Sequence, residues 1–117
     1  MICRFEEEKS MDEILEKMEA AAEAEYEKIL AKWGVFHSAH EGYAVLLEEA
    51  EEAQEEMESL REDMKALWGK LREDAEDEAA GIAEEIYNDA MKCAAELMQV
   101  GAVCLRFINS NGKYWGR

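Results

Sequence analysis

The sequence predicts an all-α fold: long antiparallel helices forming a helical bundle, completed by homodimerisation. Three observations carry that prediction. The 117 residues include no proline, so nothing interrupts a long helix. Apolar residues recur three and four positions apart over long stretches, the spacing of one helix face. No segment alternates with the period of two that a half-buried strand requires. One domain over residues 1–117, with flexible tails at 1–9 and 110–117, follows from the length, and a chain this short gains core by associating with copies of itself as a dimer or tetramer.

The elements follow in order. Ser10 and Glu13 form a capping box, and Met11, Ile14, Leu15, Met18, Ala22, Tyr26, Ile29, Leu30 and Trp33 then repeat at helical spacing, which predicts a first helix over 11–33. Gly34 is the expected C-terminal cap. Ser38 and Glu41 form a second capping box, and the short link "GVFHSA" between the two helices predicts a hairpin. The second helix carries Tyr43, Leu46, Leu47, Ala50, Ala53, Met57, Leu60, Met64, Leu67 and Trp68, and is expected to end near Gly69 or to fray through "KLREDAEDE". Ile82, Ile86, Ala90, Cys93, Leu97, Val100, Cys104 and Ile108 define the third, which stops at "NSNGKYWGR".

Charge narrows the partners. With 29 acidic against 13 basic residues the formal net charge is -16, and such a surface repels bare nucleic acid, because phosphate binding needs clustered Lys and Arg. No apolar run approaches the ~18 residues that span a bilayer, and "MICRFEEEKS" lacks the apolar core of a signal peptide. Cys3, Cys93 and Cys104 leave one thiol unpaired in any disulfide scheme. A cytoplasmic protein without nucleic-acid or membrane partners is expected.

The acidic residues are concentrated beside the apolar stripe of the second helix, and helix geometry says which of them border the core. Measured from the stripe centre at about 100° per residue, Glu49 sits at roughly 60°, Glu56 at roughly 80° and Glu52 at roughly 120°, all on one side. Glu48, Glu51, Glu55 and Glu58 point farther out or to the other flank, as solvated charge. On the third helix the same projection puts Asp89 at roughly 60°, Glu96 at roughly 80°, Lys92 at roughly 120° and Gln99 at roughly 140°, again on one flank. If these edges face each other, Glu49, Glu52, Asp89 and Glu96 converge. Carboxylates that close raise each other's pKa unless cations are present, and hard oxygen ligands suit Mg²⁺ or Mn²⁺.

The segment "WGVFHSAHEGYAVLLEEAEE", together with "AAELMQVGAVCLRFI", resembles the MazG-like nucleotide pyrophosphohydrolases of the all-α NTP pyrophosphatase superfamily, in particular its small phage and bacterial members. That family carries an EExxE motif on one helix and ExxD on a later one. Here "EEAEE" supplies Glu48, Glu49 and Glu52, the expected catalytic residues, and "ELMQ" supplies Glu96, with Gln99 at the position of the family's aspartate. The resemblance implies a Mg²⁺-dependent enzyme that hydrolyses a nucleoside triphosphate, NTP or dNTP, to monophosphate and pyrophosphate, with a housekeeping role in the nucleotide pool. Glu49, Glu52 and Glu96 are the metal ligands it implies, with Asp89 and Gln99 as further candidates. The chain departs from the pattern in two ways: Gln99 is neutral, and the stretch between Glu52 and Glu96 is longer than usual.

Other residues have plainer readings. Lys92 is a candidate for a substrate phosphate, set against a local ion pair with Glu96 or Glu85. Phe36, His37 and His40 form a candidate surface for the nucleobase, set against a role in capping the second helix. Trp33 and Trp68 read as core or interface, and Cys93 and Cys104 as small hydrophobes on the third helix. Tyr114, Trp115 and Arg117 are weaker candidates for closing over a base. The rival to an enzyme is a catalytically inactive helical oligomer or partner-binding module that keeps the same fold.

Overall fold

The computed structural model describes the backbone of residues 4–110 and the side chains of residues 8–110. Cys3, Tyr114, Trp115 and Arg117 therefore lie outside the described residues. Three helices make up the fold, α1 (Arg4–Trp33), α2 (Ala39–Arg72) and α3 (Glu76–Asn109), with no strand among the described residues. None of the three is long and apolar enough to cross a membrane.

The helices group into two compact units. One gathers α1, the start of α2 as far as Leu46, and α3 from Met98 onward. Its core is built around Phe36, which has no exposed surface, with Ala102, Val103, Arg106 and Ser110 buried. The link between α1 and α2 is fixed from both ends. Gly34 adopts φ +72° and its N–H caps the carbonyl of Leu30 at 2.8 Å, a left-handed ending that glycine reaches without strain. The Ser38 hydroxyl accepts the N–H of Glu41 at 3.1 Å and so opens α2. Between these caps, the N–H of Phe36 donates to the Ser110 hydroxyl at 2.8 Å, and Ser110 donates to the Arg106 carbonyl at 2.7 Å. Arg106 completes the clamp: its Nε donates to the Gly34 carbonyl at 2.8 Å and its guanidinium lies 3.8 Å from the centre of the Phe36 ring. Desolvation pulls its pKa below the usual arginine value, an effect opposed by the nearby charge of Glu41.

The other unit, Leu47–Leu97, is a two-helix hairpin formed by the rest of α2 and the first half of α3. Positions that climb along α2 meet positions that fall along α3: the Cys93 thiol donates to the Ala53 carbonyl at 3.6 Å, Ser59 to Asp89 at 3.5 Å, and Lys70 pairs with Glu78 at 2.9 Å. The helices are antiparallel. At the turn, the N–H of Ala75 reaches the Lys70 carbonyl and that of Asp74 the Leu71 carbonyl, with Asp74 at φ +59°. Asp74 plays the part glycine usually plays, because a short polar side chain tolerates the left-handed region. Glu76, Asp77 and Glu78 then occupy the first turn of α3, where the helix dipole favours negative charge.

Several expected boundaries move. α1 begins at Arg4, so Ser10 and Glu13 lie inside it and cap nothing; the acidic and basic residues of "RFEEEK" are helix formers that let it extend. Residues 4–9 are thus helical and Ser110 is buried. Gly69 does not end α2, which carries on to Arg72. Trp33 and Trp68 are exposed, as are Met11, Ile14 and Leu15 of the α1 stripe; the half-buried α1 positions are Met18, Ala22, Tyr26, Ile29 and Leu30. A helical period shows which residues share a face, but not how far a neighbouring helix reaches along it.

Candidate metal centre

Glu49 and Glu52 lie one turn apart on α2, and Glu96 projects from α3, all within the Leu47–Leu97 hairpin. Each offers a carboxylate oxygen, and these oxygens lie within 4.8 Å of one another. The antiparallel register explains the meeting: Cys93 sits against Ala53, so Glu96, one turn further along α3, comes level with the turn of α2 that carries Glu49 and Glu52. Glu49 and Glu96 are partly buried and Glu52 is exposed.

The electrostatics are those of charges held too close. Desolvation, then repulsion from Glu52, Glu96 and Glu48, raises the pKa of Glu49 above the usual carboxylate value. Glu96 is raised by desolvation, then by the charge of Glu52 and a hydrogen bond with it, and by Glu56. Glu52 is thus the common neighbour whose charge acts on both of the others. In an octahedral Mg²⁺ shell with bonds of about 2.1 Å, oxygens on opposite sides of the ion are about 4.2 Å apart. The three-carboxylate set is spread over at most 4.8 Å, against about 4.2 Å in that shell, and its hard anionic donors are of the kind that suits Mg²⁺, Mn²⁺ or Ca²⁺.

The remaining expected site residues go elsewhere. Asp89 does not join the cluster. Lying seven residues before Glu96, it sits about 10 Å away along the helix axis, where it accepts a hydrogen bond from Ser59 and meets Asp63. Asp63 is a member of this second acidic group that the sequence projection missed, although its place on the α2 flank shared with Glu49 and Glu56 was a signal for it. A hydrogen bond with Asp89, followed by desolvation and by the charges of Asp89, Glu85 and Glu62, pushes its pKa up to about 6. A carboxylate whose pKa is raised by folding destabilises the fold once ionised. This penalty is absent below the ordinary carboxylate value of 3.8 and complete above about 6. Asp63→Asn is accordingly expected to raise the melting temperature at pH 7 and to lose that advantage as pH falls below about 4, a comparison that thermal unfolding across pH makes directly.

Lys92 is exposed and joins none of the ion pairs among the described residues, which link Lys28 to Glu25, Lys65 to Glu62, and Lys70 to both Glu73 and Glu78. The expected local pair with Glu96 or Glu85 does not form; solvation and side-chain entropy outweigh so weak an attraction. Glu48 is exposed and outside the converging set. Phe36, His37, His40 and Gln99 belong to the other unit. Phe36 is a core residue there, which corrects its expected place beside a nucleobase: its ring has no surface to offer a ligand. His37 and His40 are exposed, and His40 lines an open apolar hollow of about 330 Å³ with Ala39, Tyr43 and Phe107. Cys93 is half-buried in the helix pair and Cys104 half-buried in the other unit, as expected of small hydrophobes.

Comparison with protein-family models, with curated proteins and with solved structures finds no match.

Proposed function

We propose that this chain is a Mg²⁺-dependent nucleoside triphosphate pyrophosphohydrolase, releasing a nucleoside monophosphate and pyrophosphate. The observation that supports this reading is the convergence of Glu49, Glu52 and Glu96 from two helices within 4.8 Å, since these are the carboxylates that the MazG-like motif resemblance singles out. Glu49, Glu52 and Glu96 hold the dication. Bound Mg²⁺ supplies charge neutralisation of the phosphates, their alignment, and a water of lowered pKa. Water oxygen attacks the α-phosphorus, the bond to the α–β bridging oxygen breaks, and pyrophosphate leaves with that oxygen. Glu48, exposed beside the cluster, is assigned the proton that the water gives up. Lys92, in none of the ion pairs among the described residues, is a cation available to the outer phosphates. The net charge of -16 agrees with a polyanionic substrate only if it arrives with metal.

Incubation with a panel of NTPs and dNTPs and Mg²⁺ or Mn²⁺, with products separated by ion-exchange chromatography, tests the assignment. Monophosphate and pyrophosphate in equal amounts are expected, and Glu52→Gln should abolish both. A second reading has its own observation: Gln99 is neutral where the family pattern has an aspartate, and Asp89, the candidate to compensate for it, is engaged with Ser59 and Asp63. Metal binding without turnover of any nucleotide would make the chain an inactive helical module that kept its cation site.

A further inference from the structure

Residues 8–17 of α1 are helical, and every one of them is exposed. Cover begins further along: Met18 is half-buried, and Ala22 faces Gly101 of α3 so closely that a carbon added to that glycine would lie 3.4 Å from the Ala22 methyl. The uncovered stretch is not wholly polar. Met11, Ile14 and Leu15 are 63%, 46% and 52% exposed and lie, with Met18, within roughly 60° of one another's line along the helix. The three present apolar surface on the order of 300 Å², the scale at which a patch marks an interaction site. A short helical stretch is marginal in water by itself, so a neighbour on this stripe would stabilise it.

Charge says which kind of neighbour. Asp12, Glu16, Glu19 and Glu23 follow one another at three-four spacing, roughly 80–140° round from Met11 on one side, and none enters an ion pair among the described residues. The other side of the stripe carries Ser10, Lys17 and Ala21. An acidic ridge therefore borders the stripe on one flank alone.

We propose that this face of α1 receives a basic amphipathic helix of another protein, its apolar side on Met11, Ile14, Leu15 and Met18 and its Lys or Arg flank along the acidic ridge. A second copy of this chain fits worse. Set antiparallel about a two-fold axis, the two ridges meet each other and like charges repel; set parallel, each ridge faces a flank whose one charge is Lys17. The surface belongs to a different unit from Glu49, Glu52 and Glu96, and the proposal does not rest on hydrolysis.

The test titrates the full chain into a fluorescently labelled synthetic peptide, with leucines at three-four spacing and lysines over the rest of its surface, and follows anisotropy. A dissociation constant on the order of 10 μM at low salt is expected, weakening as salt rises. Met11→Ala with Leu15→Ala, and separately Asp12→Lys with Glu19→Lys, should each weaken binding about fivefold or more without loss of helical circular dichroism. Glu13→Lys on the far side of α1, combined with Glu55→Lys on α2, changes the net charge by the same amount and should leave affinity within about twofold. Equal losses in the two charge variants overturn the proposal, as do indifference to the alanine pair, equal binding of a scrambled peptide, or no binding at ~100 μM. So does a wild-type dimer, by light scattering, that Leu15→Glu turns into single chains, because the second copy is then the occupant.

Discussion

Replacing Glu52 by glutamine is expected to weaken Mg²⁺ binding at least tenfold, about 1.4 kcal/mol, while making the metal-free protein more stable. Both effects come from the same geometry. Glu52 stands between Glu49 and Glu96, repelling and hydrogen-bonding each, and it lies with them inside a 4.8 Å set. The amide keeps its volume and one oxygen but loses the charge that attracts a dication. Without metal, desolvation still raises Glu49 and Glu96 above 4.5, but losing that charge removes the repulsion that adds to it. The sign follows from the direction of the shifts: carboxylates raised by folding cost stability once ionised, so the gain in Glu52→Gln is full at pH 7 and fades as pH falls towards 4.5 and below. Glu49→Gln should behave alike, and Glu55→Gln, exposed on the outer face of α2, should change neither quantity. Calorimetric titration with Mg²⁺ and melting in chelator read the two effects separately. Equal losses of affinity at all three positions would mean diffuse charge and no site. Because protons compete for the same oxygens, affinity in wild type should also fall as the solution is acidified from neutral pH.

The second large effect is expected at Gly42. A methyl group there would lie 2.5 Å from Cδ2 and 2.8 Å from Cε2 of Phe107, and 3.2 Å from Cδ2 of Phe36. Neither ring yields easily, since Phe36 is wholly buried under Arg106 and tilts against Phe107 with centroids 6.4 Å apart. Gly42→Ala gains up to ~1 kcal/mol of helix propensity, but overpacking of this kind costs about 1–3 kcal/mol, so a net loss is expected. Gly69 and Gly81 are helical glycines with nothing within 4 Å of the added carbon, and alanine there should stabilise by about 0.5–1 kcal/mol. Denaturant titration of the three variants decides it. A stabilised Gly42→Ala would show that the start of α2 and the end of α3 are packed more loosely than these distances imply.

Much of the candidate site could be read without coordinates because it depends on helical period. Glu49, Glu52 and Glu96 share the core-facing flank of their helices by angle alone, and the caps at Gly34 and Ser38 are local chemistry. Asp89 shares the flank of Glu96 equally well, yet it pairs with Asp63. Angle fixes the side of a helix, and only the register between two helices fixes which turn of one meets which turn of the other. The same limit hid Arg106, which as a polar residue on a mostly apolar helix gives no hint that it is buried over Phe36 and holds the Gly34 carbonyl. It also left Trp33 and Trp68 readable as either core or interface, and both are exposed on this chain.

By itself, then, the sequence determined that the chain is helical, where the first hairpin link is capped, and which acidic side chains border an apolar stripe, since backbone hydrogen bonding and a 3.6-residue period are settled within a few neighbouring residues. Tertiary structure alone decided that three carboxylates converge while a fourth pairs elsewhere, where within "KLREDAEDE" α2 turns back, and that half of the α2 stripe stays exposed. Those outcomes depend on residues tens of positions apart, whose meeting is set by packing and register and leaves no mark in local spacing.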